Sequence, residues 1–253
     1  MRIALASQSF KNNDVQHNLQ VILHSVEALA ESADVILFGE TFLQGFDSLC
    51  WEYEKDKTVA LSQEDEVIGC IRAAAKQWGV AVCFGYVERA GEALYSSQLF
   101  IGADGGIKEN FRRVSPGWKE PVADDHYKEG AHFETFTYGG KSFAIALCGD
   151  LWDVTAPRFH QGQEITFWPV YIDFSREEWY GEENERQQYA EKAAEFGGDV
   201  LLINSVSEEG HGCALGGCYH FAGGQIAAEL PLGSEGLLLV DLPKPVCLVR
   251  MGR

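Results

Sequence analysis

The first 88 residues of the chain alternate between apolar strands and amphipathic helices. Strands are predicted over residues 2–7, 34–40 and 80–88, with helices over 15–32 and 63–79 between them. The first helix shows apolar residues at helical spacing, and the second begins with acidic residues and ends at a glycine. Apolar strands flanked by helices need both faces covered. The pattern therefore predicts an α/β fold of layered sheets with helices outside.

The rest of the chain is richer in strands. Short strands separated by Gly-rich turns are predicted over residues 93–102, 106–114, 132–140 and 141–150. Beyond them we predict a short helical segment near 157–163, a strand at 164–172, a helix at 176–196 and a strand at 199–206. Two strands around a turn, in residues 218–230 and 235–242, complete the pattern. No repeat or change of composition divides the chain, which favours a single domain.

The charge of the chain restricts its partners. The formal net charge is -18 and the pI is about 4.7, so the surface repels phosphate backbones and anionic lipid headgroups. The N-terminal residues turn polar at Ser7, and no apolar run approaches the roughly 20 residues that span a bilayer. The seven cysteines show no framework spacing. We expect a cytoplasmic protein with reduced thiols and with no nucleic-acid or membrane partner.

Three strand regions carry side chains that could perform chemistry, because ligands of α/β sheets bind beyond the carboxyl ends of strands. Glu40 ends the second predicted strand, Arg113 lies in a base-rich strand, and Cys148 ends a later strand with Gly149 after it. Each has an ordinary interpretation: Glu40 as a solvated carboxylate, Arg113 as part of a surface ion pair and Cys148 as a buried core thiol. Alternatively, Glu40 takes the Cys148 proton, and the Gly149 N–H donates to an oxyanion.

The order of several motifs supports the catalytic interpretation. "VILFGETFLQGF" contains Glu40, "ENFRRV" contains Arg113 and "ALCGDLWD" contains Cys148, and "ITFWPVYI", "DVLLINSV" and "GGCYHFAGGQI" follow. Together they resemble the nitrilase superfamily of carbon–nitrogen hydrolases over about residues 1–242, which leaves 243–253 as a C-terminal tail. The resemblance implies an α-β-β-α sandwich of two mixed sheets. It also implies pairing through the outer helices into a homodimer or a larger homo-oligomer.

The resemblance further implies a metal-free hydrolase that needs no cofactor. Glu40 would take the thiol proton, Cys148 would attack a small-molecule amide, carbamoyl-amine or ω-amide, and water would hydrolyse the thioester. Amide hydrolysis is favoured over nitrile hydrolysis. The Gly149 N–H and a lysine would hold the oxyanion, and Glu120 matches a second glutamate that orients the lysine and the substrate.

The chain departs from the family pattern where the catalytic lysine is expected. Arg113 stands there, and a pKa above about 12 prevents an arginine from delivering a proton to a leaving amine. Either Arg113 keeps the electrostatic part of the role, or Lys119 in the following loop supplies an ammonium. Trp152 and Asn204 join Gly149 and Lys119 in the expected oxyanion and substrate-binding set. Because the lysine is missing, a binding or scaffold protein on the same fold is the alternative function.

Two further features have competing interpretations. His211, Cys213, Cys218 and His220 would face one another across a hairpin and could bind zinc, but their spacing is not that of a zinc finger and the stretch also fits the family pattern. Five aromatic residues either fill the core or line a pocket: Trp118, Trp152, Trp168, Tyr171 and Trp179. In so acidic a protein, such a pocket would favour a flat or apolar acyl group on a neutral or cationic substrate.

Overall fold

The computed structural model describes residues 1–153, 155–156, 162–207 and 213–242. Within these ranges, twelve strands form two sheets of six strands each. The first sheet has the strand order β12 (Gly236–Asp241), β1 (Arg2–Ser7), β2 (Val35–Leu37), β3 (Ala81–Ala90), β4 (Ala93–Ile101) and β5 (Ile107–Arg112). The second has the order β11 (Gln225–Leu230), β10 (Cys218–Ala222), β9 (Asp199–Asn204), β8 (Ile165–Val170), β7 (Lys141–Ile145) and β6 (Thr135–Tyr138).

Strand direction decides which residues can meet at the ends of the sheets. In the first sheet β1, β2 and β3 are parallel, β4 is antiparallel to β3, and β5 is antiparallel to β4. The end of β5 therefore lies at the same edge as the ends of β2 and β3. In the second sheet β7, β8 and β9 are parallel. The carboxyl ends of these strands are the positions where an α/β protein places its ligands.

The two sheets pack face to face around an apolar core. Leu5 and Leu37 of the first sheet and Phe167 and Leu201 of the second belong to one buried cluster. Phe100 of β4 joins the sheets, because its ring lies 5.0 Å from Phe136, 6.1 Å from Phe143 and 6.3 Å from Phe167 between centroids. Burial of such aromatic surface supplies the largest favourable contribution to folding.

Helices cover both outer faces of the paired sheets. The described helices are α1 (Val15–Ala28), α2 (Tyr53–Asp56), α3 (Glu66–Trp78), α4 (Arg176–Tyr180) and α5 (Glu185–Ala194). Apolar residues of α1 and α3, including Ile22 and Ile71, pack on the first sheet. On the second sheet, Tyr189 of α5 stacks on Trp168 at 4.9 Å between ring centroids. The layers therefore run helix, sheet, sheet, helix, which confirms the predicted α-β-β-α sandwich.

The prediction of one helix over 176–196 was wrong. The structure has two helices here, α4 and α5, because Gly181 ends α4 and Asn184 adopts a left-handed φ of 47° just before α5 begins. Ser175 starts α4 with a capping box, in which the Glu178 side chain accepts from the Ser175 N–H. The end of α4 at Gly181 and the left-handed residue at Asn184 interrupt the continuous charged pattern.

The strand predicted over 141–150 also ends earlier than expected. β7 stops at Ile145, and Cys148–Trp152 form a 3₁₀ turn. The turn is closed from both sides: the Asp150 N–H donates to the Leu147 carbonyl, and the Asp150 side chain accepts from the Leu147 N–H. Cys148 therefore lies on a tight turn beyond the strand and not at its last residue.

The remaining differences from prediction are smaller. The first helix ends at Ala28 and not at 32, and Glu31 beyond it has a left-handed φ of 69°. The segment 218–230, expected as one strand, is the β10–β11 hairpin. The helix predicted near 157–163 falls largely on residues 157–161, which lie outside the described residues, as does the predicted tail at 243–253. In the described part of the chain, every helix is too short or too polar to cross a membrane.

The position of Phe100 yields a stability prediction. We expect Phe100→Ala to lower the free energy of unfolding by about 3–5 kcal/mol, because the cavity it leaves lies between two sheets that cannot both close on it. Val122→Ala is the control, since Val122 is 74% exposed and its loss should change stability by less than about 0.5 kcal/mol. Urea denaturation monitored by circular dichroism would measure both. Equal midpoints for the two variants would contradict the assignment of Phe100 to the core between the sheets.

Candidate active site

Glu40, Arg113 and Cys148 each lie just beyond a strand end. Glu40 follows β2, Arg113 follows β5 and Cys148 follows β7, so two residues come from the first sheet and one from the second. The two strand ends of the first sheet share an edge, and the packing of the sheets brings the turn after β7 against it. The three predicted catalytic groups are therefore brought together, although more than 100 residues separate the first from the last.

A buried ion pair forms the centre of the site. Arg113 Nη1 lies 3.0 Å from Glu40 Oε1, and the two side chains are 6% and 1% exposed. Ser96 Oγ donates to the same Glu40 oxygen at 3.1 Å, and Arg113 Nε donates to Ser115 Oγ at 3.1 Å. The other carboxylate oxygen, Glu40 Oε2, is buried without a hydrogen-bond partner among the described residues. That oxygen is free to accept a proton from a neighbouring group.

Cys148 is held in an unusual backbone conformation. Its φ is 44°, in the left-handed region that a side chain with a Cβ rarely occupies. Trp168 Nε1 donates to the Cys148 carbonyl at 2.9 Å, and Cys148 Sγ lies 3.9 Å from the Tyr171 carbonyl oxygen. These contacts fix both the peptide and the thiol. Strain of this kind persists only where surrounding contacts impose it, and it concentrates at functional sites.

The Cys148 thiol is protonated at neutral pH. Burial and then the Glu40 carboxylate raise the pKa of Cys148 to about 12, against an opposing effect from the Arg113 cation. Attack by Cys148 therefore requires a base that removes the proton during the reaction. Glu40 is the carboxylate whose charge acts on the thiol, which fits that role.

Asp150 joins the turn of the nucleophile to the strand end that carries Arg113. Asp150 Oδ1 accepts from the Val114 N–H at 3.0 Å and from the Ser115 N–H at 2.6 Å, and Oδ2 accepts from the Leu147 N–H at 2.9 Å. Burial raises the pKa of Asp150 to about 6, although these hydrogen bonds oppose the rise. Asp150 thus connects the two sheets at the site, and sequence reasoning noted it only as a neighbour of Cys148.

Gly149 allows Arg113 to approach the nucleophile. A Cβ at Gly149 would lie 2.8 Å from Arg113 Nη2, which is closer than real Cβ contacts come. It would also lie 3.1 Å from Ser115 Oγ, which is tighter than most real Cβ contacts. A larger residue would push the guanidinium away from Cys148. The predicted place of Gly149 beside the reacting groups therefore has a steric reason in addition to its N–H.

The structure decides between the two candidate cations. Arg113 contacts Glu40, whereas Lys119 Nζ donates to the Tyr127 carbonyl at 2.8 Å and to Glu129 at 3.0 Å. Lys119 thus lines the approach to Glu40 and not its immediate surroundings. Glu120 is exposed and lines the same approach.

Trp152 and Asn204 have roles other than direct contact with the reacting groups. Trp152 is 44% exposed and packs edge-to-face on Tyr189, with ring centroids 5.3 Å apart. Asn204 is fully buried, and its amide accepts from the Ile172 N–H at 3.2 Å and donates to the Ile172 carbonyl at 2.9 Å. Asn204 therefore positions the segment after β8, whose Tyr171 carbonyl faces the Cys148 thiol.

A cavity of about 740 Å³ opens above Glu40. Its volume is in the range that holds a small-molecule ligand. Its lining residues are Asn12, Glu40, Thr41, Phe46, Asp47, Leu49, Cys50, Trp51, Val87, Ser96, Gly117, Trp118, Lys119 and Glu120. Of the five aromatic residues considered from sequence, Trp118 lines this cavity and Tyr171 stacks on Phe46 in its wall at 3.9 Å. Trp168 and Trp179 fill the core.

The residues of the alternative zinc site do not converge where the structure describes them. Cys218 Sγ faces the Leu5 carbonyl at 3.4 Å inside the core, and His220 pairs with Asp199 at 2.6 Å. Cys213 is exposed, and His211 lies outside the described residues. Among described residues, no group of three His, Cys, Asp or Glu side chains is arranged to hold a metal ion.

Sequence reasoning missed the hydroxyl groups that complete the site. Ser96 lies in β4 and Ser115 follows Arg113, and each contacts one member of the ion pair. The pair Ser96 and Ser97 in a largely apolar strand was a signal, because a buried hydroxyl is costly unless it has a hydrogen-bond partner. The aromatic cluster of Trp51, Trp118 and Tyr127 gave no comparable signal, because its members are distant in sequence.

Comparison with known proteins identifies the family. The model of the carbon–nitrogen hydrolase family matches residues 2–247, nearly the whole chain. The chain belongs to the carbon–nitrogen hydrolase family. The fold of this carbon–nitrogen hydrolase is that of an amidase from the nitrilase superfamily of Nesterenkonia sp. AN1, solved as a Cys→Ala variant. That structure superposes with a TM-score of 0.79 at 22% identity, over 96% of this chain and 90% of the other.

Curated relatives include both amidases and nitrilases. An N-carbamoylputrescine amidase from Arabidopsis thaliana is 29% identical over 170 residues, which are 64% of this carbon–nitrogen hydrolase and 56% of the relative. A bromoxynil-specific nitrilase from Klebsiella pneumoniae subsp. ozaenae is 32% identical over 99 residues, 36% of this chain and 28% of the relative. The chain thus spans between about a quarter and somewhat more than half of the length of these relatives.

The raised pKa of Cys148 yields a labelling prediction. Glu40→Gln removes the carboxylate that raises the pKa of the thiol, so we expect iodoacetamide to alkylate Cys148 faster in that variant than in the wild type at pH 9. Each unit by which the pKa falls raises the thiolate fraction about tenfold below the pKa. Mass spectrometry of tryptic peptides over a pH series would give the rates.

Cys70 is the internal control of this experiment, because it is exposed on α3 and should label at equal rates in both proteins. Slower or equal labelling of Cys148 in Glu40→Gln, with Cys70 unchanged, would contradict the electrostatic effect of Glu40 on the thiol.

Proposed function

We propose that this protein hydrolyses a non-peptide carbon–nitrogen bond of a small-molecule amide through a thioester on Cys148. The observation that carries the proposal is the meeting of a thiol, a carboxylate with an unpartnered oxygen and a buried cation at the strand ends. A carbamoyl-amine or an ω-amide presents the same reacting group and falls in the same class. The proposed chemistry uses side chains and backbone groups alone.

Acylation begins with removal of the thiol proton. Glu40 accepts the proton from Cys148 as the sulfur attacks the carbonyl carbon, which forms a C–S bond and places negative charge on the carbonyl oxygen. The Arg113 guanidinium and the Gly149 N–H stabilise this oxyanion. The C–N bond then breaks, the proton held by Glu40 passes to the leaving amine, and the acyl group remains on Cys148 as a thioester.

Deacylation repeats the sequence with water. Glu40, ionised again, takes a proton from a water molecule that attacks the thioester carbon. A second oxyanion forms beside Arg113 and collapses as the C–S bond breaks. The carboxylic acid leaves, and the proton on Glu40 returns to the Cys148 sulfur. One water is consumed, and one acid and one amine are released.

Arg113 acts in this scheme through its charge. Burial lowers the pKa of Arg113, but the facing Glu40, Cys148 and Asp150 raise it by a larger amount. The pKa of Arg113 therefore lies above the ordinary arginine value. The guanidinium therefore stays charged throughout and cannot transfer a proton. Proton transfer falls to Glu40 alone, which is why its unpartnered oxygen matters.

Relatives support a nucleophilic role for the cysteine. In a Glu→Gln variant of the Nesterenkonia amidase, the acetamide moiety of fluoroacetamide is covalently added at the active-site cysteine. The Arabidopsis thaliana relative is an N-carbamoylputrescine amidase, which is the carbamoyl-amine type of substrate. We extend the cysteine chemistry of these proteins to Cys148. The predictions of a homo-oligomeric assembly and a cytoplasmic location stand beside this proposal.

A catalytically impaired binding protein on the same fold is the second candidate. The observation in its favour is Arg113 itself, which stands where the family pattern has a lysine. In that case the ion pair with Glu40 would be a structural remnant, and the cavity would bind ligands without turning them over.

The function is tested at the nucleophile. We expect Cys148→Ala to abolish hydrolysis of amides and the mass shift of the acyl-enzyme, while the circular dichroism spectrum stays unchanged, because the small side chain is held by the backbone of its turn. The control is Cys70→Ala, which alters an exposed cysteine on α3 and should retain full activity. Intact-protein mass spectrometry after mixing with short amides detects the acyl group. Equal activity of the two variants would refute the thioester mechanism.

Substitution of Arg113 separates the hydrolase from the impaired protein. For a hydrolase that uses the arginine, we expect Arg113→Met to lower kcat about 10²–10³-fold, the usual effect of removing an oxyanion donor. Arg113→Lys keeps the charge, but an ammonium cannot make both guanidinium contacts, to Glu40 and to Ser115. We therefore expect its kcat to lie between those of the wild type and Arg113→Met. A large gain of activity in Arg113→Lys would favour the impaired binding protein instead.

A further inference from the structure

Asp150 is a buried carboxylate of the active site that takes no part in the proposed proton transfers. It is fully buried in the 3₁₀ turn of the nucleophile, two residues after Cys148. Glu40 has one oxygen without a hydrogen-bond partner among the described residues, whereas both oxygens of Asp150 are engaged. Burying a carboxylate is costly. The cost indicates a role for Asp150 other than that of a second base.

The partners of this carboxylate are backbone N–H groups at the ends of two sheets. The Val114 and Ser115 N–H groups, which follow β5 of the first sheet, donate to Oδ1 at 3.0 Å and 2.6 Å. The Leu147 N–H, which follows β7 of the second sheet, donates to Oδ2 at 2.9 Å. Val114 is the neighbour of Arg113 in the chain, and Leu147 is the neighbour of Cys148. One carboxylate thus sets the strand end of the cation against the turn of the nucleophile.

The contact reaches the guanidinium through Ser115. The Ser115 N–H donates to Asp150, and the Ser115 hydroxyl accepts from Arg113 Nε at 3.1 Å. On the same turn, Gly149 leaves room for Arg113 Nη2, which a Cβ there would approach to 2.8 Å. A shift of Asp150 would therefore displace both groups that we propose as oxyanion donors, the guanidinium and the Gly149 N–H.

This arrangement requires the carboxylate to be ionised. All three backbone partners are donors, and an ionised carboxylate offers them acceptors only. A proton added to either oxygen would point at a donor and not at an acceptor. Protonation of Asp150 would therefore weaken its hold on the strand end, on the turn or on both.

Asp150 titrates within a cluster of charged groups. Burial raises the pKa of Asp150 to about 6, against its hydrogen bonds and the Arg113 cation, which lower it. Arg113 also faces Glu40 and Cys148, so these are the titratable groups that share the cluster with Asp150. The charge of Asp150 is thus lost within a pH range in which activity can be measured.

We infer that Asp150 is a positioning residue of the hydrolase, whose ionised carboxylate holds Arg113 and Cys148 in the geometry that the reaction needs. The inference rests on the proposed function, because it explains how the same reacting groups are held. Loss of the negative charge should lower the rate of the chemical step more than the binding of amides, because Asp150 is not among the residues that line the cavity.

The pH dependence of the wild type is the first test. We expect kcat for a short amide such as propionamide to fall as the pH decreases through about 6, because Asp150 becomes protonated. Asp150→Asn has no carboxylate to titrate at this position, so its kcat should lack this acid limb. An acid limb at the same pH in both proteins would overturn the inference. A wild-type kcat that stays level from about pH 7 to about pH 5 would also overturn it.

The size of the effect is the second test. Asp150→Asn places an amide NH₂ among N–H donors, and we expect kcat to fall about 10²-fold while KM changes less than about 3-fold. Glu88→Gln is the matched control, because Glu88 is a buried carboxylate, 2% exposed, that pairs with Arg112 and accepts from Ser97. Its kcat and acid limb should equal those of the wild type. Equal losses in the two variants would refute a specific role of Asp150.

Ser115→Ala tests the same acid limb with Asp150 in place. The variant keeps the N–H that donates to Asp150 but loses a hydroxyl that lowers the pKa of Asp150 and accepts from Arg113. We expect a lower kcat and an acid limb displaced to higher pH, because less opposes the effect of burial. An acid limb that stays in place or moves to lower pH would show that Asp150 does not govern it.

Hydrogen exchange tests the positioning without turnover. In Asp150→Asn we expect faster amide exchange than in the wild type within residues 113–116 and 146–149, with unchanged exchange in α3, as measured by mass spectrometry at pH 7. Equal exchange in the two proteins, with amide turnover by the wild type, would refute the positioning role and uphold the hydrolysis. Faster exchange in the variant, with no turnover by the wild type, would refute the hydrolysis and leave the contacts of Asp150 upheld.

Discussion

The buried ion pair of Glu40 and Arg113 is the constraint on which the site depends. Both side chains are nearly inaccessible, so neither charge can be solvated and each requires the other. The pair also fixes two strand ends of the first sheet against each other, because Glu40 follows β2 and Arg113 follows β5. Gly149 and Ser115 follow from the same requirement: the first leaves room for the guanidinium, and the second accepts its Nε–H. The geometry at these strand ends is thus a consequence of how a buried charge is satisfied.

Asp150 extends this order to the second sheet. Three backbone N–H groups converge on its carboxylate, two from the strand end beyond β5 and one from the turn beyond β7. With Trp168 donating to the Cys148 carbonyl, this contact holds Cys148 in its left-handed conformation. The result is a buried thiol beside the Glu40 carboxylate, and burial and that carboxylate raise the pKa of Cys148 to about 12.

Local ion pairs arrange the charges at the cavity. A net charge of -18 says only that anionic partners are repelled. The arrangement of the cations is more informative, since Arg113 is engaged by Glu40 and Lys119 by Glu129. The rings of Trp51 and Trp118 line the same cavity, with centroids 6.1 Å apart.

Much of this protein was determined by sequence alone. The periodicity of apolar residues predicted the strands and covering helices, and the motifs around Glu40, Arg113 and Cys148 predicted, by their resemblance to the nitrilase superfamily, the carbon–nitrogen hydrolase family. The spacing of apolar residues and the ends of strands depend on neighbouring residues, so they can be recognised in one sequence. The break between α4 and α5 and the early end of β7 were missed, because a left-handed residue at Asn184 and the side-chain contact of Asp150 decided them.

Only the tertiary structure decided which cation faces Glu40. Arg113 and Lys119 are six residues apart, and nothing in their spacing shows that one enters a buried ion pair while the other bonds to Tyr127 and Glu129. The same holds for the contact of Trp51 with Trp118 and for Asn204, which supports the segment beside Cys148. Their partners are brought together by strand order and sheet packing, and the free energy of a buried charge or hydrogen bond depends on that three-dimensional environment.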